Sequence, residues 1–394
     1  MKITVTVNNL LSALRVLATA WSRSNLAGAP ACAWIAQADT LTLRAASLEW
    51  DAQYTMPATT NEPGTAWIPA ALMRALPWGQ LGPAFEVHAT QTILRVRSGA
   101  LSYDLPLLNR ERVGAIIPGT IPCTRADGPA LSRALLLGSI AARPLATGST
   151  AEPAEAASRG LDREGLWIEL SPGRLEASST DRVQVTHAAI PVTTDSSMRF
   201  AIPTHAALAI ARSAALAPSA ELHCSPGQPT RTLTLVAGAA AITMRTLAQF
   251  PPDPRLAPWR EAGPTLRCGA NVLTEALRAT CTIGGTDPRV LVTLRSHKSR
   301  LYLTVAAQSA AAAATVDLAR GEWHDTAVTV PARALLATLA PLRETEVKLH
   351  LGDGDSPVQI TAQTDPVEYR AIIAPIAPEP ARTPTAAQAA GSTK

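Results

Sequence analysis

The sequence predicts an α+β protein made of three tandem, similar domains, each with two helices packed on antiparallel sheets. The first observation is a phrase that occurs three times: WIPAALMRALPW at Trp67–Trp78, FAIPTHAALAIARS at Phe200–Ser213 and VTVPARALLATLAPL at Val328–Leu342. In each, a strand-like residue and a proline lead into an apolar pattern of helical period. The prolines, Pro69, Pro203 and Pro331, are separated by 134 and 128 residues. The second observation is a hairpin pattern after each phrase, and the third is another helix pattern before it.

Taken in chain order, MKITVTVNN alternates apolar and polar residues as a strand does. The first helices of the three copies are predicted in Asn8–Trp21, Gly128–Ala142 and Gly269–Ile283, with apolar faces of Leu10, Leu14 and Leu17, of Leu131, Leu135 and Ile140, and of Val272, Leu273 and Leu277. A strand pair follows each: ACAWIAQADTLTLRAASLEW, GLWIELSPGRLEASSTDRVQV and RVLVTLRSHKSRLYLTVAA. Then comes the proline phrase. Proline is expected in the first helical turn, where its missing N–H has no intrahelical partner and its φ is already helical. It also pushes the preceding Ile68, Ile202 or Val330 towards extended geometry. Hairpins at Phe85–Gly99, Glu221–Gly238 and Glu346–Gln363 complete the copies, each with apolar alternation around Gly, Pro, Asp or Ser turns. The alanine run in QSAAAAATVDL has helix propensity, but the repeat register places a strand there, parallel in position to DAQYTM and THAAIPV. Domain boundaries are expected in the Pro/Gly-rich stretches, giving domains at 1–122, 123–253 and 254–376 and a disordered tail at 377–394. Arg143–Gly160 shares the small, polar composition that cannot bury enough surface to order itself.

Composition narrows the class. The 394 residues are 47% hydrophobic and 17% charged, and no long uncharged apolar run suggests a membrane span. The opening residues lack the pattern of a signal peptide, so a cytoplasmic location is expected. Five cysteines at scattered positions read as isolated thiols, neither a disulfide framework nor a zinc site. Of 35 basic residues only Lys2, Lys298, Lys348 and Lys394 are lysines. Arginine suits bidentate phosphate contacts, and a GC-rich genome gives the same bias.

Several segments together resemble the bacterial sliding clamp, the β subunit of DNA polymerase III, over the chain to about Ile376. MKITV opens it. Ser47–Glu49 with Trp50 resembles the family's Asp-Leu-Glu segment, and TDRVQVT from Thr180 resembles its Thr-Asp-Gly-His-Arg-Leu. QFPPDPRL resembles the interdomain Phe-Pro-x-Tyr-x-Arg segment through Phe250, Pro251, Arg255 and Leu256. Pro357-Val358 and IIAPI at Ile372–Ile376 resemble the late hairpin strand and the closing hydrophobic-Met-Pro-Met strand.

The resemblance implies a DNA-clamp fold and a head-to-tail homodimer, a closed ring of six domains with helices lining the hole. Closed symmetry is also the usual solution for oligomers. The implied function is to encircle duplex DNA without regard to sequence and to tether DNA polymerase and other replication and repair proteins as a non-catalytic processivity factor. Arg15, Arg74, Arg133, Arg212, Arg278 and Arg333, on the predicted helices, are the candidates to face DNA, with Arg23 by position. The family's second site is an apolar pocket that takes short linear motifs from the polymerase and clamp loader. Carried over by position, its lining is Thr180, Val183, Val185, Pro251, Arg255, Leu256, Pro357, Ile372, Ile373, Ala374, Pro375 and Ile376. No cofactor, metal or membrane is implied.

Departures from the family are concentrated in that pocket. Arg182-Val183 replaces Gly-His, Ala374 and Ile376 replace methionines, Arg159–Glu164 matches poorly, and the chain runs on past Ala377-Pro378. The net charge, +4, is positive where the family is usually acidic. A divergent paralogue with altered partners, or one resisting a pocket-binding inhibitor, is the alternative reading. The common nucleophile, phosphate-loop, dinucleotide and zinc-protease motifs are missing from the sequence. GDGDS at Gly352–Ser356 lacks the further ligands of a calcium loop and reads as a hairpin turn. An enzyme would require a site assembled from distant residues.

Overall fold

The computed structural model describes residues 1–21, 31–46, 50–108, 120–142, 165–225, 232–247, 253–254, 265–284, 290–306, 311–318, 320–321, 325–352 and 354–376. The α-helices among the described residues are α1 (Val7–Trp21), α2 (Ala70–Ala75), α3 (Gly128–Gly138), α4 (Thr204–Ala214), α5 (Ala270–Cys281) and α6 (Ala332–Leu339). They alternate with antiparallel strands so that strand, helix, strands, second helix and hairpin recur three times along the chain. The chain forms two compact units. One holds the described residues up to Asp253 except Thr180–Thr186; the other holds Thr180–Thr186 and those from Pro254 onward.

In the first unit, a five-stranded sheet runs Thr59–Glu62, Lys2–Thr6, Ala84–Ala89, Ile93–Ser98 and Leu101–Pro106. An eight-stranded sheet is continuous across the first two copies. Ala240–Arg245 of the second copy pairs with Trp50–Pro57 of the first, in the register Ala240↔Tyr54 to Met244↔Trp50. In the second unit, Val367–Ile373, Val358–Thr364, Glu346–His350 and Thr265–Gly269 are neighbours in that order. A four-stranded sheet runs Ala311–Asp317, Arg300–Ala306, Leu291–His297 and Thr326–Pro331. The alanine run is therefore a strand, with Ala311–Asp317 paired along its length to Arg300–Ala306. Cross-strand pairing outweighs the helix propensity of alanine. Gly354–Ser356 turns between two paired strands, as expected of the GDGDS segment, whose Asp353 lies outside the described residues.

Each proline phrase is a strand ending directly in a helix, but the proline sits one step earlier than expected. Pro69, Pro203 and Pro331 are the last residues of their strands and the N-caps of α2, α4 and α6, not first-turn residues. Their φ values of −57°, −58° and −62° would suit a helix, while ψ values of 127°, 143° and 119° are extended. The ring fixes φ only, so ψ is left to choose between strand and helix. A proline also sets where the first of these helices stops. α2 ends two residues before Pro77, whose ring holds Leu76 extended at φ −74° and ψ 137°, whereas α6 passes into a 3-10 turn, Ala340–Leu342, that includes Pro341.

The apolar helix faces pack as their spacing dictates, with one exception. Leu10, Leu17, Leu131, Leu135, Ile140, Leu273 and Leu277 are buried, joined by Ala13 and Val16. Leu14 is half-buried. Val272 is exposed, at 48%. Five residues before Leu277 is about 140° around the helix, off the face that Leu273 and Leu277 share. Trp78, at the end of the first proline phrase, sits between Trp34 and Phe85 with ring centroids 6.2 Å from each, and its indole N–H donates to the Met73 carbonyl at 2.7 Å. That bond accepts the donor a buried indole must place.

All five cysteines are free thiols. Burial pushes the Cys268 thiol up to about 12 and raises those of Cys32 and Cys281, which favours the unreactive form. Among the described residues no helix is long and apolar enough to cross a membrane, and no three His, Cys, Asp or Glu side chains gather as a metal site.

Candidate peptide groove and arginine-bearing helices

The strand Arg174–Thr180 and the strand Gln184–Pro191 are joined by a turn tied together by two side chains. The Thr180 hydroxyl accepts from the Arg182 N–H at 3.0 Å and donates to the Gln184 carbonyl at 2.9 Å. Asp181 Oδ1 accepts from the Val183 and Gln184 N–H groups at 2.9 and 2.7 Å. These bonds satisfy the backbone of a three-residue reversal that could not satisfy itself. The turn forces Arg182 to φ +75°, a left-handed conformation that glycine adopts freely and arginine does not.

This turn meets the closing segment of the chain. The Ala374 N–H donates to the Val183 carbonyl at 2.8 Å, and the Ile376 N–H donates to the Thr329 carbonyl at 2.8 Å. The first bond holds IIAPI against the turn, and the second ties its last residue to the strand Thr326–Pro331. Ile372 and Ile373, the last residues of the strand Val367–Ile373, are buried, as are Thr180 and Val185. Val183 and Ile376 stay 41% and 38% exposed. Pro357, Ala374 and Pro375 are half-buried. The segment thus offers two exposed apolar residues on a fixed backbone. Pro251, Arg255 and Leu256 lie outside the described residues, as do Ser47–Glu49 and the segments Arg143–Gly160 and 377–394.

Two further features, one in each unit, carry no mark in the sequence pattern. Gln184 is 1% exposed, and neither its amide N–H group nor its carbonyl oxygen has a partner among the described residues. Arg199, on the strand Met198–Pro203, clasps Asp253 with two hydrogen bonds of 2.9 and 2.7 Å. Its guanidinium also lies 3.8 Å from the centre of the Trp167 ring and 3.4 Å from Glu169. Arg199 and Glu169 are directly opposed in register, with Glu176 opposite Glu169 on the next strand. Glu176 is pushed down to about 2 by its hydrogen bond with His187, with Arg174 acting in the same direction against the effect of burial. The only hint in sequence is the Trp-x-Glu alternation at Trp167–Glu169, which places both on one sheet face.

The helices share an electrostatic feature. Each carries one arginine: Arg15, Arg74, Arg133, Arg212, Arg278 and Arg333 in α1 to α6. Glu275 is their only acidic residue, although the chain has 31. Five of these arginines are exposed and Arg333 is half-buried. Arg23 lies outside the described residues. In the first unit, α4 packs with both α1 and α3; in the second, α5 packs with α6.

No family model matches the sequence, and no curated protein does. Solved structures do match along nearly the whole chain. The DNA polymerase III β subunit of Thermotoga maritima superposes with a TM-score of 0.78, covering 96% of this chain and 99% of its own, at 15% identity. The chain has the sliding-clamp fold. The sliding clamps of Bacillus subtilis and Caulobacter crescentus agree, with TM-scores of 0.77 and 0.74 and identities of 13% and 20%. Each match covers 96% of this chain and at least 99% of the clamp, so the clamp fold accounts for all three copies together.

Proposed function

We propose that this chain is a sliding clamp: a non-catalytic ring of two copies, head to tail, that encircles duplex DNA and tethers a DNA polymerase to it. The observation that carries this reading is the single arginine in each of the six described helices against one acidic residue among them all. A ring that slides needs positive charge towards phosphate and no base readout, and isolated arginines on helix faces supply that. The three copies correspond to domains at 1–122, 123–253 and 254–376, and two such chains close six domains into a ring. Leu101–Pro106 and Ala311–Asp317 are terminal strands of their sheets, edges available for pairing between copies. The turn at Thr180–Gln184 and the closing residues through Ile376 form the groove for short linear motifs of polymerase and clamp loader. The arginine and valine at 182–183, with Ala374 and Ile376, favour a second form of this reading, a paralogue whose groove has changed its partners.

The test is topological. Loaded onto nicked circular DNA, the protein is expected to remain bound through gel filtration and to be lost after the circle is cut once. Equal retention on circular and linear DNA would show ordinary binding and sink the ring. Arg15→Glu combined with Arg212→Glu is expected to lower loading or retention on the circle without altering the dimer mass.

A further inference from the structure

We infer that Arg182 makes the groove selective for peptides that carry an acidic residue beside their apolar anchor; this rests on the groove reading above. Three observations meet at one place. Arg182 is exposed and makes no ion pair among the described residues. Its backbone cannot relax, because the turn around it is held by the Thr180 hydroxyl and the Asp181 carboxylate. Its neighbour Val183 is an exposed apolar side chain whose carbonyl is tied to the closing segment.

The result is a cation standing next to an apolar contact on a rigid frame. Asp181 is held on the backbone of its own turn by the two N–H bonds to Oδ1 and makes no ion pair with Arg182. An incoming carboxylate can take the guanidinium in a fork-to-fork pair while an adjacent apolar side chain covers Val183. A glycine at this position has no charge to offer, so the selectivity belongs to this chain's own substitution. A charge at the rim changes which partner docks more than how tightly the best one binds, and salt screens it. A neutral peptide loses the pair, and a basic one adds repulsion.

The experiment uses the full-length protein and three labelled seven-residue peptides with one Leu-Leu-Phe core, differing only in an adjacent Asp, Asn or Lys. Anisotropy titration at low salt is expected to rank them Asp, Asn, Lys, with about fivefold between the first two, the scale of an exposed ion pair. The ranking is expected to collapse in Arg182→Gln and to shrink in 0.5 M salt. Val183→Asp, at an exposed position, is expected to abolish binding of all three. Equal affinities for the Asp and Asn peptides in the wild-type protein would overturn the role of Arg182 while leaving the groove intact. No binding of any peptide would overturn the groove and this inference with it.

Discussion

Two corners of this molecule are closed by the same chemical device and lead to opposite structures. At the start of α3, Asp127 accepts a hydrogen bond from the Ala130 N–H at 2.8 Å. At Thr180–Gln184, Asp181 accepts from the N–H groups two and three residues on, at 2.9 and 2.7 Å. The first carboxylate caps a helix, because Gly128-Pro129 continues the chain with negative φ and the proline suits the first turn. The second caps a reversal, because Arg182 turns to φ +75° and sends the chain back as a strand. An aspartate that captures backbone N–H groups therefore does not decide the fold at its own position. The φ of the residue after it does.

The largest test of that contrast lies at the helix corner. A Cβ placed on Gly128 would lie 2.0 Å from the Ala217 carbonyl oxygen and 2.5 Å from that of Ala214. Both are backbone atoms at the end of α4 and just beyond it, so neither can swing aside. Gly128→Ala is expected to cost about 3 kcal/mol or more, above the usual range for an added methyl group in a packed core. Urea unfolding with an unchanged slope measures it. A loss under 1 kcal/mol would mean that α3 and α4 can separate, and that the corner is less rigid than its hydrogen bonds imply.

That corner was legible in the sequence, and the turn at Arg182 was only half so. Gly128, Pro129 and the prolines of the three phrases, Pro69, Pro203 and Pro331, announce backbone geometry through their own covalent structure, and the spacing of the three repeats with the domains. The helix stop before Pro77 follows from the same restriction, although the offset of each phrase's proline to the N-cap does not, since ψ is not fixed by the ring. Arg182 says nothing of its φ; the left-handed turn is visible only when Thr180, Asp181 and Gln184 are seen bonding around it. The meeting of Val183 with Ala374 joins residues 191 positions apart, a pairing that depends on the whole sheet order and leaves no local trace. Gln184 is polar and sits in a strand pattern, so nothing local predicts that it is buried.

The clasp at Arg199 sharpens the comparison from the side of charge. Here an arginine is held by two bonds to Asp253, a neighbouring carboxylate and an aromatic face. Among the described residues Arg182 has no bond, ion pair or ring contact of these kinds. Arg199→Ala is expected to destabilise the protein by about 2 kcal/mol, combining a charge-assisted bidentate pair with a stacked guanidinium. Arg182→Ala, which keeps the strained turn, is expected to change stability by less than 0.5 kcal/mol. Arg199→Lys is expected to recover less than half of the loss, because an ammonium cannot make the fork or the stack. Equal effects at the two arginines in thermal melts would mean that the clasp is a surface contact of no structural consequence.

The smallest expected effect is a gain. Arg182→Gly removes a side chain from a left-handed backbone held in place by its neighbours, which relieves about 1 kcal/mol of local strain. Part of that is returned, because glycine adds freedom to the unfolded chain. The net expectation is a stabilisation of a few tenths of a kcal/mol to about 1 kcal/mol, read as a shift of the urea midpoint. The same substitution at Asp127's side of the comparison has no counterpart, since glycine already follows that aspartate and serves there for close packing rather than for φ. Destabilisation by Arg182→Gly would show that the arginine contributes to the folded state through contacts of its own, and the turn would then be a structural feature rather than one kept at a cost for its charge. A gain in stability accompanied by lost discrimination between acidic and neutral peptides would separate the two roles, with strain residing in the backbone and selectivity in the guanidinium.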